Sequence, residues 1–211
     1  WKRSEVVLRE TAESSIRQKA IDVALQLELY MQAHRTMTLK DLQKDPRFRE
    51  IAIQPVGKTG YTALQDSYTA INRFHRDPKI ENLDLHRLSQ TLPDFWGIME
   101  RSLGGKVSSG YYNWKDPNGQ IRQKYMYIIP IKEATADGVR LGIAVTTYID
   151  EFIGPMTETK KIYSSTYNYL RMITRNIMYS FINSGFTLAA VGILLIALLA
   201  FPVGMYFSRA I

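Results

Sequence analysis

The amino-acid sequence predicts an α+β fold, in which a long N-terminal helix packs along an antiparallel sheet and a C-terminal transmembrane helix follows. Three observations predict this class. Apolar residues recur every three or four positions from Ser4 to His34, without Gly or Pro, as in an amphipathic helix. Later runs of β-prone residues are separated by turn sequences. No charged residue occurs between Asn176 and Ser208.

Shorter elements are predicted between the long helix and the main part of the sheet. We expect a short helix and a loop from Thr38 to Arg49, because Pro46 limits the helix. Short β-prone runs follow between Ile51 and Phe74. A helical stretch from Leu83 to Leu103, interrupted by Pro93, completes this region.

Three strands are the clearest elements of the predicted sheet. Their connections, Asp116-Pro117-Asn118-Gly119 and Ala136-Asp137-Gly138, contain Asn-Gly and Asp-Gly, which accept the positive φ angles of tight hairpin turns. The sequence therefore predicts an antiparallel meander. Its strands are Val107 to Lys115, Gln123 to Ile131 and Val139 to Ile149.

The apolar stretch from Thr187 to Phe207 predicts a membrane span. A helix of these 21 residues would be about 31 Å long, close to the ~30 Å hydrocarbon core of a bilayer. The alternative, a buried core helix, is usually shorter. Trp1 to Arg3 suit the exit of an earlier membrane helix. We thus expect a helix leading from that membrane helix in residues 1–36, one soluble domain in 37–153, a juxtamembrane helix in 154–185 and the transmembrane helix in 186–208.

Composition and motifs argue against several functional classes. The net charge of +7 would permit nucleic-acid binding, but the basic residues are scattered among acidic ones, so we expect no such binding. The absence of cysteine excludes disulfides and thiolate metal sites. His34, His75 and His86 lack the spacing of a helical metal site, and no catalytic constellation is visible. We expect this region to be no enzyme and to need neither metal nor cofactor.

Aromatic residues are concentrated around the predicted strands. Tyr and Trp combine an apolar face with a polar tip, which suits a pocket for a small polar molecule, although a simple core role is the alternative for each. With Lys124 and His75 nearby in the pattern, we favour a pocket. The aromatic residues are Phe95, Trp96, Tyr111, Tyr112, Trp114, Tyr125 and Tyr127.

The strand register decides which residues share a face with Tyr112 and Trp114. A two-residue loop at Pro117-Asn118 would place Tyr125 and Tyr127 there, whereas a three-residue loop would place Lys124 and Met126 there. The sequence leaves both open. If Lys124 points inward, its buried ammonium needs a partner, and a bound carboxylate could supply one through charge-assisted hydrogen bonds.

Several segments, in their order along the chain, resemble Cache-type extracytoplasmic sensor domains of prokaryotic transmembrane receptors. The likeness covers roughly Ser4 to Ile153. The segments are Ile51 to Asp77, Leu92-Pro93-Asp94-Phe95-Trp96, Gly110-Tyr111-Tyr112-Asn113-Trp114, Lys124-Tyr125-Met126-Tyr127 and Tyr148-Ile149-Asp150-Glu151.

The resemblance implies a single-Cache, PAS-like sensor between two membrane helices. It implies a periplasmic domain on the inner membrane, a homodimer, and a cytoplasmic output module such as a chemoreceptor, histidine-kinase or cyclase module. The ligand would be a small metabolite, with a carboxylate or an amino acid favoured. The alternative is a membrane-tethered assembly domain that binds a protein partner and no metabolite.

The resemblance also indicates individual residues. Trp96, Tyr112, Trp114 and Lys124 fall where related domains place pocket aromatics and a basic anchor. His75 stands where these domains often have His-Pro, but Arg76 replaces that proline here. The full predicted ligand-binding set is His75, Trp96, Tyr112, Trp114, Lys124, Tyr125 and Tyr127.

Overall fold

A computed structural model describes residues 2–116 and 118–184 of the chain. The chain divides into two compact units, Trp1–Met156 and Thr157–Ile211. The first unit is an α+β domain, as the sequence predicts. The helices in the described residues are α1 (Lys2–Ala33), α2 (Leu39–Lys44), α3 (Pro46–Ala52), a 3₁₀ helix (Leu85–Leu88), α4 (Pro93–Ser102) and α5 (Asp150–Ser184).

The strands form one antiparallel sheet in the order β1-β2-β6-β5-β4, and β3 pairs with the other end of β2. Strands β4, β5 and β6 are the predicted meander. The strands are β1 (Pro55–Val56), β2 (Gly60–Asp66), β3 (Asn72–Phe74), β4 (Ser108–Lys115), β5 (Ile121–Ala134) and β6 (Arg140–Tyr148).

Helix α1 covers one face of the sheet. Its buried residues follow a helical spacing and pack against alternate residues of β5 and β6, such as Tyr125, Ile143 and Val145. The apolar stripe that predicts this helix is therefore satisfied by its own sheet. Side chains on other faces of α1, including Ile21, Leu25 and Leu29, are exposed. The buried stripe consists of Ala12, Ile16, Ala20, Val23, Ala24, Leu27 and Met31.

Helix α4 and the 3₁₀ helix lie over the opposite face of the sheet. Ile98 and Met99 of α4 are buried there with Leu85 of the 3₁₀ helix. Gly110 allows the close approach of α4 to β4, since a Cβ at this position would lie 3.0 Å from Ile98 Cγ1. The two faces are thus packed differently, with a continuous helix on one and short helical segments on the other.

Capping explains where the structure differs from the predicted boundaries. Asp45 accepts hydrogen bonds from the N–H groups of Arg47 and Phe48, and Pro46 occupies the first turn, so a helix begins where the sequence predicts a loop. Ile51 and Ala52, expected in a β-prone run, lie in this helix. Pro93 likewise begins α4 instead of interrupting a helix.

The membrane prediction falls mostly on residues that the structure does not describe. The predicted transmembrane helix, residues 186–208, lies outside the described residues. Across 2–116 and 118–184, no helix is both long and apolar enough to span a bilayer.

Gly60 provides a test of the packing between β1, β2 and β6. A Cβ at Gly60 would lie 2.4 Å from Val56 O and 2.5 Å from Thr147 Cβ. Because backbone atoms cannot yield cheaply, we expect Gly60→Ala to lower the free energy of unfolding by about 2 to 3 kcal/mol. Chemical denaturation measures this. Gly97→Ala is the matched control, since only the flexible end of Arg101 lies nearby, and it should be neutral or stabilising. Equal effects of both would contradict this packing.

Candidate functional site

A cavity of about 710 Å³ lies on the face of the sheet opposite α1. Strands β2, β6, β5 and β4 form its floor, and the loop after β3, the 3₁₀ helix and α4 form its walls. Volumes of about 300 to 1,000 Å³ are typical of small-molecule sites. The cavity therefore has the volume of a small-molecule site, and it lies between the sheet and the helical segments.

Small residues on the central strands create the space. Ala63 of β2 pairs with Ala144 of β6, and both line the cavity together with Thr146. The facing wall is apolar and includes Leu85, Phe95 and Met99, two of which belong to the buried cluster beneath α4. The central floor and the wall are thus mostly apolar, and polar groups are concentrated elsewhere in the cavity.

Lys124 is the most unusual residue of this face. It lies in the middle of the sheet, paired with Tyr112 on β4 and with Tyr148 on β6, and only 3% of its surface is exposed. Its Nζ lies 5.0 Å from the ring centre of Tyr61, 5.0 Å from that of Tyr148 and 5.6 Å from that of Trp114. Three aromatic rings therefore surround the ammonium, at distances at which cation–π attraction operates.

No described residue gives Lys124 a hydrogen bond or an ion pair within 4.0 Å. Burial lowers the pKa of Lys124 from its ordinary 10.5 to about 8, and the positive charge of Arg76 acts in the same direction. The carboxylate of Glu151 opposes this shift and only partly offsets it. The ammonium is therefore held mainly by ring faces, and an anion placed beside it would be attracted strongly.

Two guanidinium groups share the rings that contact Lys124. The Cζ atom of Arg76 lies 4.2 Å from the ring centre of Tyr61, and that of Arg122 lies 4.0 Å from the ring centre of Tyr148. Positive charge therefore exceeds negative charge around the cavity. Among the described residues, its lining includes the cations Lys58, Arg76, Lys115, Arg122 and Lys124, and the carboxylates in it are Asp77 and Asp116.

His75 also lines the cavity, where its ring lies beside that of Tyr61. Its Nδ1 lies 3.0 Å from the backbone nitrogen of Asp77 and 3.2 Å from the Asp77 carbonyl oxygen, and its Nε2 lies 3.1 Å from the hydroxyl oxygen of Tyr61, so the imidazole and Tyr61 share a hydrogen bond in either tautomer. Burial lowers the pKa of His75 below its ordinary value, and the pKa of Tyr61 is raised by burial as well. Burial thus favours the neutral form of His75, whose imidazole positions Tyr61, and the ring of Tyr61 contacts Lys124.

The first turn of α5 is bonded to Arg122 and to the turn before β2. Arg122 donates to Asp150 through Nε at 3.1 Å and Nη2 at 2.7 Å. Glu151 accepts hydrogen bonds from the backbone N–H groups of Lys58 and Thr59, each at 3.1 Å, and from the Thr59 hydroxyl.

Thr59 links Arg76 to Glu151 of α5. Its carbonyl accepts a hydrogen bond from Arg76 Nη1 over 3.0 Å. Arg122 thus reaches α5 directly, whereas Arg76 reaches it through Thr59 and Glu151. Cations in the cavity are linked to consecutive residues where this helix begins.

Four of the seven predicted site residues meet at the cavity, namely His75, Tyr112, Trp114 and Lys124. The pairing register of β4 and β5 decides which residues of β5 face the cavity. The backbone N–H of Asp116 donates to the carbonyl of Gln120 over 2.8 Å, so three residues separate these two bonded positions, as in the longer of the two predicted loops. The same register pairs Lys115 with Ile121 and places Lys124 beside Tyr112.

The other three predicted site residues do not line the cavity. Tyr125 and Tyr127 point to the opposite face, where they belong to the core beneath α1, and Arg17 of α1 stacks over the ring of Tyr127. Trp96 lies beside His86, with ring centres 4.4 Å apart, and the preceding residue Phe95 reaches the cavity instead. The helical phase of α4 decides between these two neighbours.

Sequence reasoning did not assign Tyr61, Arg76, Arg122 or Tyr148 to the site. A period-two signal was available for Arg122, which shares a strand face with Lys124 two residues away. Tyr148 becomes a neighbour only through the pairing of β5 with β6. Arg76 lies in the loop after β3, for which no periodic signal exists.

Comparison with known proteins adds no family assignment. No family model matches the chain, and no curated protein matches it.

Replacing Lys124 by methionine tests whether its charge is costly in the free protein. The lowered pKa means that the folded protein binds fewer protons than the unfolded chain between about pH 8 and 10.5. Stability of the wild type should therefore rise with pH across this window. Lys124→Met should raise the free energy of unfolding at pH 7 by about 2 kcal/mol and remove that rise.

Lys132→Met is the matched control for this experiment, because Lys132 is exposed on the same strand. It should change stability by less than about 0.5 kcal/mol. Denaturation at several pH values measures both variants. A destabilised Lys124→Met protein, or an unchanged pH dependence, would contradict the assignment of a costly charge.

Proposed function

We propose that the first unit is the ligand-binding sensor domain of a prokaryotic transmembrane receptor, of the PAS-like single-Cache class, and that it binds a small metabolite carrying a carboxylate. The observation that carries the proposal is the buried ammonium of Lys124, which has no acidic partner among the described residues and borders a cavity of about 710 Å³. The sequence resemblance and the α+β architecture agree with this class.

A carboxylate fits the electrostatics of the cavity. It would accept charge-assisted hydrogen bonds from Lys124, each contributing about 1.5 to 3 kcal/mol. Arg76 has no ion pair with a described residue, and its guanidinium is a second donor. A ligand amine at the same place would add positive charge to an already positive group. An amino acid would therefore bind with its carboxylate at Lys124.

Signalling would follow from competition at Arg122. This guanidinium holds Asp150 at the start of α5, and a ligand carboxylate drawn towards Lys124 competes with Asp150 for the same donors. A ligand shifts a conformational equilibrium only if it binds the two states with different affinity. Release of Asp150 in one state would provide such a difference, and α5 leads towards the predicted transmembrane segment of residues 186–208.

The remaining features of the receptor extend the proposal beyond the described residues. Anchoring in the inner membrane with a periplasmic sensor, and a cytoplasmic output module, follow from the apolar stretch of residues 186–208 and from the resemblance. The alternative, an assembly domain without a metabolite, is less favoured because the cavity has the volume and the charge of a ligand site.

Ligand screening tests the proposal directly. Acetate, pyruvate, succinate and amino acids should raise the melting temperature to different degrees, whereas matched small amines should not. Trp114→Ala, which removes one ring beside Lys124, should weaken the best carboxylate about tenfold, or ~1.4 kcal/mol. Titration calorimetry measures the affinity.

Trp96→Ala is the control, because Trp96 lies outside the cavity. It should leave the affinity within about twofold, a change of ~0.4 kcal/mol. No stabilisation by any carboxylate, or an equal loss in both tryptophan variants, would overturn the proposed function.

A further inference from the structure

A second polar group lines the cavity away from Lys124. Gln65 of β2 and Asn72 of β3 are paired strand neighbours, and their side chains are 2% and 5% exposed. Within the described part of the chain, the Gln65 amide makes no hydrogen bond and Asn72 Oδ1 has no partner. Buried amides are costly without hydrogen bonds, so this pair is suited to a polar ligand group.

The surroundings of these amides carry no excess charge. Asp66 and Arg73, the charged neighbours on the two strands, form an ion pair of 3.3 Å with each other. The N–H groups of Tyr68 and Thr69 also donate to Asp66. A charged ligand group would therefore find no unpaired opposite charge on these strands, whereas a neutral group with hydrogen-bonding capacity would be matched.

The two polar groups are well separated along β2. Tyr61, whose ring contacts Lys124, and Gln65 both line the cavity, and four residues of strand correspond to about 13 Å. Ala63 lies between them on the floor. The wall is apolar, with Leu88, Phe95 and Met99. The cavity thus has a cationic end, an apolar middle and a neutral polar end.

We propose that Gln65 and Asn72 form a second subsite, which binds a hydroxyl or amide at the far end of an elongated carboxylic acid held at Lys124. The inference rests on the proposed function and narrows its ligand class. A hydroxyl or amide both donates and accepts, as the side-chain amides do. An apolar chain or ring of the ligand would fill the middle of the cavity.

Calorimetry of the full chain with a series of acids tests the subsite. The probes are hexanoate, octanoate and decanoate, each compared with the acid that carries a hydroxyl on its terminal carbon. We expect one chain length to be optimal, and its hydroxy acid to bind about fivefold tighter than the plain acid, as one hydrogen bond allows. Gln65→Met, which keeps the volume but removes the amide, should abolish this preference, and the affinity for the plain acid should stay the same or rise because an unpaired amide no longer faces the chain.

Gln123→Met is the matched control, because Gln123 is exposed on β5 and does not line the cavity. It should keep the preference for the hydroxy acid. A preference that survives Gln65→Met, or acids of all lengths binding alike with no effect of the hydroxyl, would overturn the subsite. Binding of these acids that still depends on Lys124 would then leave the proposed function standing, whereas a chain that binds none of the acids loses both proposals.

Discussion

The structure of the cavity depends on one buried positive charge, the ammonium of Lys124, which lies between two neighbouring strands of the sheet. Moving an ammonium into a protein interior costs several kcal/mol, and each aromatic ring returns about 0.5 to 2 kcal/mol. Tyr61, Trp114 and Tyr148 supply three such rings, but no described carboxylate lies within 4.0 Å of Lys124. The balance remains unfavourable for the charged form, which is why burial lowers the pKa of Lys124. An anionic ligand would remove this cost.

The sheet explains why the charge lies there. Period-two geometry sends Tyr125 and Tyr127 into the core beneath α1, and therefore sends Lys124 and Met126 to the other face. The small residues Ala63 and Ala144 on the adjoining strands leave space that larger side chains would fill. The alternation along β5 thus explains the burial of the lysine, and the small residues on the adjoining strands explain the cavity beside it.

Much of the fold could be predicted from the sequence, because its signals are local. The apolar spacing of α1 and the Asn-Gly and Asp-Gly turns mark the long helix and the meander correctly. The site was less predictable, because the face of β5 depends on a loop whose length the residues do not fix. The place of Arg76 in the site could not be predicted for another reason. Arg76 lies in a loop, and the carbonyl of Thr59, in a turn distant in the sequence, holds its guanidinium.

The pKa of Lys124 in the free protein shows whether the sheet holds this ammonium at a cost. Nuclear magnetic resonance can follow the lysine side chain during a pH titration, with Lys124→Met identifying its signal. We expect a pKa of about 8 in the free protein, and an upward shift of this pKa when a carboxylate binds, because the nearby negative charge stabilises the ammonium. A pKa near the ordinary 10.5 that no carboxylate changes would contradict a costly buried charge at Lys124.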